Sequence, residues 1–171
     1  MDFFDLIKER YSVRSYNPNK KVEQEKLNNI LEAARLAPTA ANRQAFKIIV
    51  METEGRKEDL KRIYGRPWFA EAPLVLCVCA IPGKCWVRLD GKNYSDVDAA
   101  IVMDHIVLAA AAQGLGTCWI GAFDLQAARQ VLGLDDSLEP VAFTPLGYPS
   151  ESSVRPPVKA RKPLEELVIY K

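Results

Sequence analysis

The sequence predicts an α+β domain on three observations. Helical and strand-like segments alternate without the strand-first order of a doubly wound sheet. The apolar strand candidates are short and punctuated by proline, and one alanine-rich helical segment is apolar on nearly every side. Residues 2–10 carry Phe3, Leu6 and Ile7 at helical spacing, and Asn17-Pro18 follows as a turn. Residues 23–37 repeat the helical pattern through Leu27, Ile30, Leu31 and Ala34, and both helices are expected to pack one face inward. Pro38 ends the second helix and opens a polar loop to Gln44. Residues 46–51 read as a strand, 54–64 as an exposed helix with Leu60 and Ile63 on its apolar side, 74–80 as a buried strand and 81–93 as a loop. Residues 95–113 form the longest helical segment, expected at the centre of the molecule and stopped by Gly114 and Gly116 in the manner of a glycine C-cap. A strand over 117–122 follows, then a short helix from a cap at Asp124 to Leu132, then a strand over 141–148 despite Pro145. A polar, proline-rich passage precedes the apolar segment 164–170, which must dock somewhere.

The 171 residues suit one domain over 1–171, with no internal repeat or linker. At 49% hydrophobic and 26% charged, the composition excludes a disordered tail, a collagen-like fibre and a coiled coil. A net charge of +1 and a pI near 7.6 do not support a nucleic-acid binder. The apolar stretch 72–82 is far short of the roughly 20 residues of a membrane span. Asp2, Asp5 and Glu9 break up the apolar start, so no export signal is read and the cytoplasm is the expected location. Without export, Cys77, Cys79, Cys85 and Cys118 are not a disulfide framework, and Cys77 and Cys79 are expected to pack as small hydrophobes. His105 is the single histidine and lies mid-helix, where a packed role is favoured over a base. A zinc set and a serine or cysteine hydrolase therefore both lack partners, and no carboxylate pair stands out for glycoside chemistry.

Four constellations remain. In an extended chain after the first helix, Arg10, Ser12 and Arg14 project on one side, giving two guanidinium forks and a hydroxyl suited to a phosphate; the alternative is a solvated loop. Thr39, Asn42 and Gln44 offer the mixed donors and acceptors that a heterocycle edge needs, though such residues also favour turns. Gly114-Leu-Gly116 follows a helix and precedes a strand, which rules out a dinucleotide fingerprint. Gly121-Ala122, just before a helix cap, would let a ligand approach bare backbone N–H groups, or is simply a tight turn. Lys159, Arg161 and Lys162, after a loop containing Arg155, form a basic cluster that is either a surface patch or the far wall of a phosphate site.

In this order the motifs resemble the nitroreductase family of FMN-dependent oxidoreductases: Arg10-x-Ser12-x-Arg14, Leu36-Ala-Pro-Thr-Ala-Ala-Asn-Arg-Gln44, Asp98-Ala-Ala100, Gly114-Leu-Gly-Thr117, Trp119-Ile-Gly-Ala-Phe-Asp124, Leu146-Gly-Tyr-Pro149 and Lys159-x-Arg161-Lys-Pro163. The resemblance covers nearly the whole chain. It implies a sandwich with a mostly antiparallel central sheet flanked by helices, and an intertwined homodimer that exchanges C-terminal strands and holds FMN at two interfacial sites. Arg10 and Ser12 would hold the phosphate with Lys159 and Arg161, Pro38, Thr39, Ala40 and Asn42 would come from the partner, and Tyr11 and Gln44 are further expected cofactor contacts. Arg14 would sit near N1 and the C2 carbonyl, where negative charge collects on reduction. Trp119, Ile120, Gly121 and Ala122 would face the ring, and the tail residues 167–170 would add a strand to the partner's sheet. The reaction implied is ping-pong hydride transfer from NAD(P)H, a transient donor, through flavin N5 to a nitroaromatic, quinone or activated alkene, with no catalytic side chain and no metal. The same pocket in a flavin-handling protein without such turnover, or a module built only for dimerisation, are the competing readings. Gln44-Ala-Phe46 departs from the family's frequent Gln-Pro-Trp, and the region between Cys79 and Asp96 is short, so a substrate-covering excursion is reduced. Trp68, Trp86 and Tyr94 would line an acceptor pocket or serve packing.

Overall fold

In the computed structural model, which describes residues 2–154 and 159–171, the chain runs α1 (Phe3–Glu9), α2 (Gln24–Arg35), β1 (Phe46–Glu52), α3 (Lys57–Ile63), β2 (Leu74–Ala80), α4 (Ser95–Ala112), β3 (Gly116–Thr117), α5 (Leu125–Leu132) and β4 (Glu139–Gly147). The strands form one antiparallel sheet in the order β1-β2-β4-β3. Side chains alternate across β2, so its two faces enter two different cores. Leu76, Val78 and Ala80 meet Ile30 and Ala34 of α2 and Val102, Met103 and Ile106 of α4. Val75, Cys77 and Cys79 meet Leu60 and Ile63 of α3 and Ala128 of α5. Burial on both faces explains why β2 reads as an unbroken apolar run, and the result is a helix–sheet–helix sandwich of the predicted α+β class.

The helix boundaries follow local chemistry. α2 gives way at Leu36 and Ala37 before Pro38, which disfavours helical geometry in the residue before it. The Asp124 carboxylate accepts the Ala127 N–H at 2.8 Å, and α5 ends on Gly133 at φ 63°. Gly114, at φ 74°, ends α4 in the same left-handed way.

Three expectations are corrected. The apolar side of α1 is not buried by this chain: Phe3 is 60% and Phe4 65% exposed. The helix expected over 54–64 begins only at Lys57, because a turn through Gly55 at φ 75° closes first with the Arg56 N–H on the Thr53 carbonyl. The expectation for 164–170, docking on a partner's sheet, is a separate matter: within the chain this segment forms a 3-10 turn over Leu164–Glu166 and lies exposed.

The strand expected over 117–122 is cut to two residues, and Pro145 is the reason. Thr117 pairs with Leu146, and Ile120 pairs with Phe143 in the same register. Between them, the position opposite Cys118 is Pro145, which has no N–H to give. The Thr144 hydroxyl fills in, accepting the Cys118 N–H at 3.1 Å and donating to the Pro145 carbonyl at 3.0 Å.

Candidate functional site

Beyond α1 the chain becomes extended and lies along β3 as an added strand. Ser12 bridges Thr117 in parallel, and the Val13 N–H donates to the Thr117 carbonyl at 2.9 Å. Val13 and Tyr16 are buried, and the Tyr16 hydroxyl donates to the Val13 carbonyl at 2.8 Å. The alternation expected of this segment thus turns Arg10, Ser12 and Arg14 away from the core, Arg10 and Ser12 half-buried and Arg14 exposed. All three converge near the Cys118 thiol: burial pushes that thiol up, and the Arg14 charge, a hydrogen bond with Ser12 and the Arg10 charge pull it back. Neither arginine has a carboxylate in ion-pair range among the described residues. Tyr11 is tied by its hydroxyl to that of Ser153 at 3.1 Å.

Lys159 reaches back across the chain and donates to the Ile7 carbonyl in α1, the helix that ends just before Arg10. Arg161 is exposed and donates to the neighbouring Ala160 carbonyl at 2.7 Å, and Arg155 lies outside the described residues. Along the continuation of the strand that Ser12 pairs with, Trp119 is 42% exposed, and Gly121 and Ala122 are exposed. Their N–H groups have no partner among the described residues, and a Cβ built on Gly121 would meet nothing within 4 Å. Ile120 is placed differently from its neighbours: its side chain is in the core, and both its backbone groups pair with Phe143, at 2.8 and 3.0 Å. Its part is to pin the strand from which Gly121 and Ala122 emerge.

The loop after Pro38 is strained. Ala41, Asn42 and Gln44 all hold left-handed backbone, at φ 50°, 52° and 50°, a conformation costly for residues with a Cβ. The Thr39 hydroxyl accepts the Gln44 N–H at 3.0 Å, and the Gln44 amide turns back onto Asn42. The Ala40 N–H donates to Asp98 Oδ1 at 2.9 Å. Asp98 was prominent in the sequence only as part of a family motif. The missed physical signal is its spacing, because it falls on the stripe of Val102 and Ile106, where an otherwise apolar helix buries a carboxylate. A hairpin over residues 86–94 lies next to this loop: the Cys85 thiol contacts the Ala45 carbonyl at 3.7 Å, and Trp86 packs edge-on to Tyr94 at 4.9 Å. Trp68 instead packs on Tyr64 beside the α3 core.

Within one chain these elements do not meet. The strained loop is fixed to Asp98 in the first turn of α4, whereas Arg10 and Tyr11 line a cavity of about 160 Å³ with Ala111 and Gly114 at the helix's other end. Most of the 18-residue α4 separates them, about 20 Å at 1.5 Å per residue. A larger cavity of about 640 Å³ lies elsewhere, along β1, bounded by Val22, Val50, Lys57 and Leu74.

The comparisons with known proteins converge. The model of the nitroreductase family matches residues 7–66 and 62–148. A crystal structure of a nitroreductase family protein from Clostridium difficile 630 superposes with a TM-score of 0.91 at 38% identity, over 100% of this chain and 99% of that one. Another from Clostridium novyi NT gives 0.81 at 34% identity, over 89% and 87%. A Bacillus subtilis protein named FMN reductase [NAD(P)H] is 29% identical over 163 residues, 85% of this chain, and this chain spans only 65% of that relative's length. With the family's pattern matched across the sandwich and over most of the sequence, the chain belongs to the nitroreductase family.

Proposed function

We propose that this protein is an FMN-dependent oxidoreductase that passes hydride from NAD(P)H to an electrophilic acceptor, a nitroaromatic, quinone or activated alkene, by a ping-pong scheme. The observation that carries this reading is the segment of Arg10, Ser12 and Arg14, neither arginine ion-paired among the described residues, lying along the strand whose continuation opens the backbone of Gly121 and Ala122. That donor set fits FMN. Two guanidinium groups and a hydroxyl suit a phosphate and an electron-rich ring edge, unpaired N–H groups suit ring heteroatoms, and the missing Cβ of Gly121 leaves room for a flat ligand.

When bound, FMN supplies the hydride chemistry at N5. The chain's residues bind and orient it. Arg10 and Ser12 would hold the phosphate, with Lys159 and Arg161 as further cations for the same end. Arg14, exposed on the same side, would meet the ring edge where negative charge develops, and its guanidinium would lower the energy of that charged state without any proton transfer by the protein. Gly121 and Ala122 donate backbone N–H groups, and Trp119 covers one side. NAD(P)H is a transient donor and needs no fold of its own.

The site is completed by a second copy. A two-fold axis across α4 sets the N-terminal end of one helix beside the C-terminal end of the other, bringing Pro38, Thr39, Ala40, Asn42 and Gln44 of one protomer to the arginines of its partner. The exposed apolar residues Phe3, Phe4, Leu167, Val168, Ile169 and Tyr170 are the surface such a dimer would cover. β1 is a free sheet edge beside the larger cavity, where a partner's tail would add as a strand. Among the described residues no helix is long and apolar enough to cross a membrane, and we place the protein in the cytoplasm, with its nicotinamide donor.

The test is the anaerobic absorption spectrum of the purified protein. Stoichiometric FMN that bleaches on addition of NADH or NADPH, and recovers with a nitroarene or quinone, is the expected result. Bound flavin that neither nucleotide bleaches points to a flavin-handling protein, and a colourless protein that takes up no added FMN removes the reading.

A further inference from the structure

Asp98 is the one buried carboxylate of α4, and its two oxygens are unequal. Oδ1 accepts the Ala40 N–H at 2.9 Å, while Oδ2 is buried with no partner among the described residues. The residue is 2% exposed. A buried polar atom left without a bond is costly and is retained where the group has a task. The task is legible in what Oδ1 holds. Ala40 opens the stretch in which Ala41, Asn42 and Gln44 all occupy left-handed backbone. Strained backbone persists only where its surroundings over-determine it. Inside that loop, the side-chain hydrogen bonds of half-buried Thr39 and exposed Asn42 and Gln44 join these residues to one another and tie nothing to the core. The Asp98 bond crosses from the loop to a buried helix.

We propose that Asp98 is the positioning residue of the flavin-binding loop: its carboxylate anchors Ala40 to the core and so sets the amide side chains of Asn42 and Gln44 in the geometry that receives the cofactor. This rests on the FMN reading above. The anchor acts from outside the ligand's reach, through one backbone N–H. The nearby Cys85 thiol, pushed up by burial and then by the Asp98 charge, is directed to the Ala45 carbonyl instead.

The test compares Asp98→Asn, which keeps an acceptor oxygen, with Asp98→Ala, which removes it, by two readouts. The first is amide hydrogen exchange at Ala40 in flavin-free protein. The second is the Kd for added FMN, with far-UV circular dichroism as the check on folding. Asp98→Asn is expected to keep Ala40 protected and to hold Kd within about threefold. Asp98→Ala is expected to expose that amide and to weaken FMN binding by roughly tenfold or more, the loss typical of a hydrogen bond to a charged group. Asp98→Ala with wild-type protection or wild-type affinity overturns the proposal. So does Asp98→Asn with an unprotected Ala40, which decides the matter even if the alanine variant fails to fold. Wild-type protein that takes up no FMN removes the flavin reading, and with it this role, even where the Ala40 amide behaves as expected. Wild-type uptake with an Ala40 amide indifferent to Asp98 removes the anchor alone.

Discussion

Gly116 shows how one residue without a side chain fixes the position of several that have them. A Cβ there would lie 2.8 Å from Val13 Cγ2 and 2.9 Å from Val13 Cβ, closer than carbon atoms pack. Val13 cannot retreat, because it is β-branched, 2% exposed and held by its N–H on Thr117. Opposite Gly116 across the ladder stands Gly147, whose own missing Cβ makes room for Pro73 at 2.6 Å and Tyr16 at 3.4 Å. The two glycines let the segment carrying Arg10, Ser12 and Arg14 lie directly on the sheet's end. Gly116→Ala is therefore expected to destabilise the fold by about 1–3 kcal/mol, the cost of overpacking, and to weaken FMN binding because the arginines move with Val13. Urea titration measures the first effect, and Val13→Ala in the same chain should restore most of it. A Gly116→Ala protein as stable as wild type would show that the contact is loose. In the sequence Gly116 reads as a helix stop and both glycines as members of family motifs, but the crowding that requires them is not visible, since it comes from segments far away along the chain.

At the scale of elements, Thr144 carries the connection that Pro145 denies to the strand. Its hydroxyl takes the Cys118 N–H and reaches the Pro145 carbonyl, and the residue is fully buried. Thr144→Val keeps the shape and strands both backbone groups, so a loss of about 1–3 kcal/mol is expected in urea unfolding, with Thr144→Ser closer to wild type. A valine variant indistinguishable from wild type would mean that the chain re-pairs without the hydroxyl. The same elements show what was legible beforehand. α2, α4, α5 and β2 stand close to where periodicity and caps put them, because the signals that define them are local: Pro38, Gly114, Asp124 and an unbroken apolar run. The strand over 117–122 was half legible, since its interruption depends on which residue of β4 lies opposite. The left-handed stretch at Ala41, Asn42 and Gln44 was not legible at all. Nothing in a side chain of alanine calls for that conformation, and its support comes from Asp98 through the fold.

The whole molecule poses the question of completeness, and the length of α4 answers it. Within one protomer the amide loop and the arginine strand stand at opposite ends of an 18-residue helix, and α1 and the tail present apolar side chains that the chain itself leaves uncovered. A ligand held by both sets must therefore lie between two copies. The consequence is a complementation that no single-chain site could show. Arg10→Ala/Arg14→Ala protein and Asn42→Ala/Gln44→Ala protein are each expected to bind FMN poorly, because in each homodimer both sites carry the same lesion. When the two are unfolded together, mixed in equal amounts and refolded, random pairing makes half of the dimers mixed. In a mixed dimer both lesions fall on one site and the other site is intact, so roughly a quarter of all sites should regain wild-type affinity. A flavin titration of the mixture reads this as a tight phase absent from both parents. If the loop and the arginines of one protomer served the same flavin, every site in every mixture would carry one lesion or the other, and the tight phase would not appear.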